Sequence, residues 1–266
     1  MPELPDVAMV KRYLDATGLH QEVTEVEVRD DYVLKGVSPD RLADAARGSQ
    51  FCSSTRHGKN LLVELTGGPW LRLHFGMTGN LKYFKRLADD PEYDRILLTF
   101  GTGYHLAYVC QRKLGRVSLA ESPEQFVSEE GIGPDALEIG REQFADLLIQ
   151  RRGALKARLM DQHLIAGLGN IYSDEVLFRA RLHPRQEVEE LSRGDLRRLH
   201  AAMRKILETS LERGADARDL PRTWLIHHRY HGAECPRCGD SIRRMEVNQR
   251  GCYFCPACQG RSSRPR

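Results

Sequence analysis

Cys235-Pro-Arg-Cys238, then sixteen residues, then Cys255-Pro-Ala-Cys258 is the stretch that decides how the rest of the chain is read. Each Cys-x-x-Cys turn presents two thiolates at one vertex, and zinc takes four thiolates tetrahedrally. The spacing is that of a zinc-ribbon β-hairpin. Four sulfur ligands leave no open position for water, so the expected metal is one structural Zn2+, not a catalyst. Five of the seven cysteines crowd into this region, which is metal arithmetic and not a disulfide framework. Cys252 is out of phase with the pairs and reads as a spare thiol. Cys52 and Cys110 lie in strand-like surroundings and are expected in a core.

Charge gathers around the motif. Residues 229–266 carry eight arginines and no lysine against three acids, Glu234, Asp240 and Glu246. Residues 141–160, which include Lys156, carry five basic residues against two acidic ones. Two basic stretches beside a zinc motif point to a phosphate-binding surface. The net charge of +3 gives no bulk-charge case for it. A chain of 266 residues, 41% hydrophobic and 29% charged, has the makings of a soluble protein with more than one core. No apolar run approaches the roughly 20 residues that span a bilayer, and the start lacks the apolar centre of a secretory signal. The expected setting is cytoplasmic (nucleoid-associated in a bacterium), with no membrane partner.

Working back from the hairpin, helical spacing covers residues 142–150, 155–160, 170–181 and 195–213. The run Ala166-Gly167-Leu168-Gly169-Asn170 interrupts it. Two glycines there break one helix and start the next with its amides exposed, a favourable seat for a phosphate. A tight helix connection would explain the same glycines. Before Gly133-Pro134 the chain turns to β. Thr24-Glu25-Val26-Glu27-Val28 alternates with period two. Asn60-Leu61-Leu62-Val63-Glu64-Leu65 and Trp70-Leu71-Arg72-Leu73-His74-Phe75 are parted by a Thr66-Gly67-Gly68-Pro69 turn. Strands at residues 95–100 and 103–109 follow, and one helix over about 5–16 precedes them all. Such spacing predicts a sandwich or a barrel.

The chain opens Met1-Pro2-Glu3-Leu4-Pro5-Asp6-Val7. Methionine is removed before a small residue such as proline, so the mature chain is expected to begin at Pro2. An α-amino group titrates near ~7.7–8.0, against ~10.4 for lysine, and is partly an unprotonated nucleophile at neutral pH. Attack on a sugar aldehyde gives a Schiff base, with the adjacent Glu3 carboxylate able to shuttle protons.

Together these pieces resemble the formamidopyrimidine-DNA glycosylase / endonuclease VIII family of base-excision repair enzymes. The likeness spans essentially the whole chain. It includes the PELPDV start, Gly58-Lys59-Asn60-Leu61-Leu62 and His74-Phe-Gly-Met77-Thr-Gly. It runs on through Gln111-Arg112-Lys113-Leu114-Gly115-Arg116, Asp161-Gln-His-Leu-Ile-Ala-Gly-Leu-Gly-Asn170-Ile-Tyr-Ser-Asp-Glu175 and Asn248-Gln249-Arg250. The resemblance implies an α+β multidomain fold. Its parts would be a catalytic β-sandwich (1–133), a helix–two-turns–helix domain (134–228) and a zinc-ribbon hairpin (229–266).

By the same resemblance the partner is damaged double-stranded DNA, met by a monomer. Pro2 would be the nucleophile and Glu3 the general acid/base. Lys59 and Glu175 would complete the catalytic set. Lys59, Asn170 and Arg250 would hold phosphates, with His74 and Lys156 among the DNA contacts. Met77, Arg112 and Leu114 would fill the gap left by an everted base. No cofactor beyond the zinc is implied.

Four positions depart from the branch that excises 8-oxoguanine. Leu114 stands where phenylalanine is usual. The interval from Arg218-Asp219 to the first zinc cysteine is short, His228 falls where a tyrosine is expected, and Asp6 replaces glutamate. These keep excision of oxidised pyrimidines as the alternative to ring-opened purines. Two further classes remain: a non-catalytic reader of abasic or distorted DNA, and a zinc-ribbon transcription or RNA-binding module. The first would be expected to lack Pro2 or Glu3. The second accounts only for the cysteines.

Overall fold

The computed structural model describes residues 2–260. Met1 and three arginines of the basic C-terminal stretch (Arg261, Arg264, Arg266) lie outside the described residues. The chain divides into two compact units, Met1–Gly131 and Ile132–Arg266.

The first unit opens with helix α1 (Leu4–Thr17), which precedes strand β1 (Val23–Val28) and helix α2 (Pro39–Ala46). Strands β2 (Phe51–His57), β3 (Asn60–Leu65), β4 (Trp70–His74), β5 (Gly79–Phe84), β6 (Asp94–Phe100), β7 (His105–Cys110) and β8 (Arg116–Ala120) follow, then helix α3 (Pro123–Glu129). They form two antiparallel four-stranded sheets, β1-β6-β7-β5 and β2-β3-β4-β8. One continuous core joins them: Leu61, Val63, Leu71 and Leu73 from one sheet, Val26, Ile96, Leu98, Phe100 and Leu106 from the other, and Val7 and Leu14 of α1. This is the β-sandwich, and burial of its two inner faces supplies most of its stability. Cys110 is in that core, whereas Cys52 is only half-buried, its Sγ 3.0 Å from Thr66 Oγ1.

The second unit contains α4 (Arg141–Ile149), α5 (Leu155–Leu159), α6 (Asn170–Ala180) and α7 (Arg193–Glu212), then the hairpin β9 (Arg243–Val247) and β10 (Arg250–Phe254). Helix α6 is buried along almost its whole length and packs on α7. The Gln162 side chain ties together the turn before α6. Gln162 Nε2 donates to Met160 O and Leu168 O, both at 2.8 Å, and its Oε1 accepts from Gly167 N–H at 3.0 Å. Gly167 has φ 117°, a conformation that glycine alone adopts cheaply.

The cysteine hairpin shares its core with the helices. Phe178, Leu225, Ala233, Cys235, Ile242 and Cys255 form one buried cluster. The Arg237 guanidinium lies 4.4 Å from the Phe178 ring centroid and donates to Phe178 O at 2.9 Å. Buried Gln259 accepts from Cys255 N–H at 3.0 Å and donates to Leu182 O at 2.9 Å. Helices and hairpin, read separately from the sequence, therefore make up a single compact unit.

Candidate functional site

Pro2 is half-buried and leads directly into α1. Glu3 is the N-cap, in extended conformation and only 1% exposed. Its N–H donates to Asp6 Oδ2 at 2.8 Å, closing a capping box in which the Glu3 carboxylate accepts from the Asp6 amide. Asp6 thus does the work that a glutamate does in most boxes. Burial raises its carboxyl above the ordinary range, against the pull of the Glu3 amide. The result is an acid whose position next to Pro2 is fixed by a helix start.

Lys59 sits in the two-residue turn between β2 and β3, where His57 pairs with Asn60. Gly58 takes φ 56° there, as the first position of a tight hairpin turn demands. Lys59 is 8% exposed, so it is not the free strand-end lysine that its place in the sequence allows. Behind it, Asn60 Oδ1 accepts from Arg72 Nε at 3.0 Å and Nη2 at 2.7 Å. Arg72 is buried against the Phe126 ring, 5.1 Å from its centroid, and burial lowers its pKa to about 10. His74 Nδ1 accepts from Gly76 N–H at 3.2 Å. That bond leaves the ring proton on Nε2. Burial, then the charges of Arg72 and Lys59, push the His74 pKa down to about 4. At neutral pH His74 is an uncharged donor in a positive surrounding, suited to a phosphate oxygen.

Two loops carry Met77, Arg112 and Leu114, the residues that the resemblance implies would fill the gap left by an everted base. Met77 is at the β4–β5 turn and Leu114 in the β7–β8 loop, 38% and 44% exposed, among the few large apolar side chains left in solvent. Arg112, also exposed, donates its backbone N–H to Thr78 Oγ1 at 3.1 Å. Gly76 has φ 56°, and a Cβ on it would lie 2.3 Å from Leu114 C and 2.4 Å from Leu114 O. The loops therefore touch backbone to backbone, and only glycine fits. Gly76→Ala is expected to drive them apart at a cost of about 1–3 kcal/mol. Fluorescence titration with a duplex holding a tetrahydrofuran abasic analogue should show affinity falling about tenfold or more.

In the second unit, Asp174 is fully buried and is the hub of a polar network. Its Oδ1 accepts from Lys156 Nζ at 2.6 Å and Cys252 Sγ at 3.1 Å. Its Oδ2 accepts from Arg229 Nη2 at 2.8 Å and Tyr253 N–H at 3.2 Å. Lys156 also donates to Asn170 Oδ1 at 2.7 Å and Gly251 O at 3.3 Å. Its expected place among the DNA contacts needs correction. Lys156 is 0% exposed and its ammonium is spent on three internal acceptors, so it positions other groups and does not meet a phosphate. Asn170 is the first residue of α6, not its cap, which is Gly169. With Oδ1 held by Lys156, its amide NH2 is left as the donor.

Arg250 is exposed and follows a two-residue turn in which Asn248 and Gln249 both have positive φ, 48° and 59°. Cys252, read as a spare thiol, is buried on Asp174. Glu175 is 3% exposed and accepts from Ile226 N–H at 2.9 Å. Burial outweighs that bond and raises its pKa to about 7. It fastens the 225–228 turn to α6.

The sulfurs of Cys235, Cys238, Cys255 and Cys258 all lie within 4.8 Å of one another. The separations of 3.9, 3.5 and 3.3 Å between individual pairs bracket the ~3.8 Å that a tetrahedron with Zn–S of about 2.3 Å requires. The donor set fits zinc. Stripping the metal with a strong chelator is expected to release one Zn2+ per chain, scored with a colorimetric zinc indicator, and to cost the hairpin its fold and most DNA affinity.

Asp174, Arg229, Arg72 and Thr78 were not singled out by sequence reasoning. The one signal for Asp174 is its place beside Glu175 in a motif already quoted.

A β-sandwich with two exposed loops in contact, and a helical unit closed by a four-cysteine zinc hairpin, define a zinc-finger protein of the helix–two-turns–helix class. Residues 1–117 match the formamidopyrimidine-DNA glycosylase N-terminal domain, 131–220 its helix–two-turns–helix domain, and 232–260 the zinc finger found in formamidopyrimidine-DNA glycosylase and isoleucyl-tRNA synthetase. The formamidopyrimidine-DNA glycosylase of Pelotomaculum thermopropionicum is 32% identical, over 97% of this chain and 99% of its own length. That of Solibacter usitatus is 34% identical, over 98% and 100%. Lactococcus lactis Fpg in complex with an abasic-site DNA superposes with a TM-score of 0.89 at 27% identity, covering 98% of this chain and all of that one. A variant of the same enzyme bound to Fapy-dG DNA gives 0.89 at 28% identity, again over 98% of this chain and 100% of its own. The chain belongs to the formamidopyrimidine-DNA glycosylase family.

Proposed function

We propose that this protein is a bifunctional DNA glycosylase/AP lyase acting on oxidised purines, ring-opened formamidopyrimidines first among them, in duplex DNA. The observation that carries the reading is the wedge: Met77, Leu114 and Arg112, exposed on two loops that touch at Gly76 and Thr78. A damaged base is unreachable inside a duplex and must be flipped out. Apolar wedges fill the space it leaves, while an arginine satisfies the orphaned partner base.

In this reading Pro2, freed of Met1, attacks C1′ with its amine lone pair. The C1′–N glycosidic bond breaks and Glu3 supplies the proton. The amine proton passes through Glu3 to O4′ as the C1′–O4′ bond breaks and the sugar ring opens, leaving an iminium that makes the 2′ proton acidic; β/δ-elimination then cleaves the strand, with Lys59 and Glu175 completing the catalytic set. Lys59, His74, Asn170 and Arg250 take phosphates. The zinc, held by Cys235, Cys238, Cys255 and Cys258, keeps the Arg250 hairpin in shape and takes no part in bond breaking. The protein works as a cytoplasmic monomer. Single-turnover assays on duplexes with one Fapy-dG, one 8-oxoguanine or one oxidised pyrimidine test this. Faster release of the purine lesions is expected. A clear preference for the pyrimidine would move the chain to the alternative, and no release from any duplex would sink the enzymatic reading.

A further inference from the structure

We propose that Asp30 is a positioning residue for the wedge loop, setting how Arg112 and Leu114 are offered to the opposing base; this rests on the reading of that loop given above. Asp30 follows β1, and its backbone is fixed, since both Arg29 and Asp30 donate N–H to Arg95 O, at 2.9 and 3.2 Å. Its carboxylate accepts from Lys113 Nζ at 2.6 Å, Arg95 Nη1 at 3.4 Å and Tyr32 N–H at 3.2 Å. Lys113 stands between Arg112 and Leu114. It has φ 52°, a left-handed conformation that a lysine adopts only when its surroundings impose it.

Asp30 reaches the same loop by a second route. Arg95, which it binds, donates Nε to Cys110 O at 3.0 Å, at the residue where the loop leaves β7. From the far side, Arg116 Nη1 donates to Lys113 O at 2.9 Å and Gly115 O at 2.6 Å. The loop is thus clamped at its start, its centre and its end, and Asp30 holds two of the three. The clamp matters more here because the wedge is leucine. A leucine cannot hold its place by stacking on bases, so its position has to come from the loop that carries it. Pairing also keeps the Lys113 ammonium turned to Asp30, which leaves Arg112 as the cation beside the wedge.

The Asp30–Lys113 pair is part-exposed, so removing it does not threaten the fold. Dissociation constants are measured for duplexes holding a tetrahydrofuran site opposite each of the four bases, with wild type, Asp30→Asn, Asp30→Glu, Lys113→Met and the Asp30→Asn/Lys113→Met double variant. A pair of this exposure supports a change of about three- to fivefold. The ratio between best and worst opposing base should shrink by that factor in Asp30→Asn and in Lys113→Met, should recover in Asp30→Glu, and should fall no further in the double variant. A ratio that is flat in wild type, unchanged in the variants, or reduced additively in the double variant overturns the proposal. Because the readout is binding, it decides the point even if wild type proves unable to cleave DNA, a result that would count against the enzymatic reading alone.

Discussion

Glu3→Gln is expected to slow base excision by about 10²–10⁴-fold, the range lost when a general acid/base is removed. Glutamine keeps the length of the side chain and can accept the Asp6 amide, so the capping box that starts α1 survives. Stability should therefore change little, and the melting temperature is the control. Affinity for an abasic-analogue duplex should also persist, since Glu3 is 1% exposed and offers no face to a phosphate. The loss should appear in single-turnover rate and not in KM. A variant with near wild-type excision would leave proton transfer to another group and strip Glu3 of its role.

Asp174→Asn should produce the largest stability loss of any single isosteric change in the second unit. The carboxylate is 0% exposed and is the anion shared by the Lys156 ammonium and the Arg229 guanidinium. Removing one partner of a buried ion pair leaves uncompensated charge and costs about 3–5 kcal/mol. Calorimetry should show a melting shift on the order of 10 °C. The loss reaches function too, because Lys156 orients Asn170, and Tyr253 and Cys252 tie the strand of Arg250 to the same carboxylate. Arg229→Met is expected to be milder, since Lys156 keeps its anion. Equal damage from both variants would show that Asp174 acts by shape alone.

The sequence announced its chemistry more clearly than its scaffolding. Helix α1, strands β1, β3, β4, β6 and β7, and the four helical segments α4 to α7 were legible because apolar residues recur with period 2 or 3.6. Strand β2 was not. Phe-Cys-Ser-Ser-Thr-Arg-His buries only Phe51, and its place is set by pairing with β3. The four zinc cysteines were legible because spacing alone encodes two chelating turns. The buried Lys156–Asp174–Arg229 network was not, since its members lie 18 and 55 positions apart and no periodicity links them. That blindness also explains the correction at Lys156. A lysine in a basic stretch reads as a phosphate contact until burial shows its charge already spent. Asp30 escaped notice for the same reason, 83 positions from the lysine it holds.

The central claim is that Pro2 is the nucleophile, and borohydride trapping on a duplex with one abasic site tests it most directly. Wild type and Pro2→Gly are run side by side, with the mature N-terminus confirmed by mass spectrometry. A reduced covalent adduct from wild type, mapped to residue 2, with little or none from Pro2→Gly under the same conditions, is the expected result. Equal trapping by both proteins, or an adduct that maps to a lysine, would contradict it.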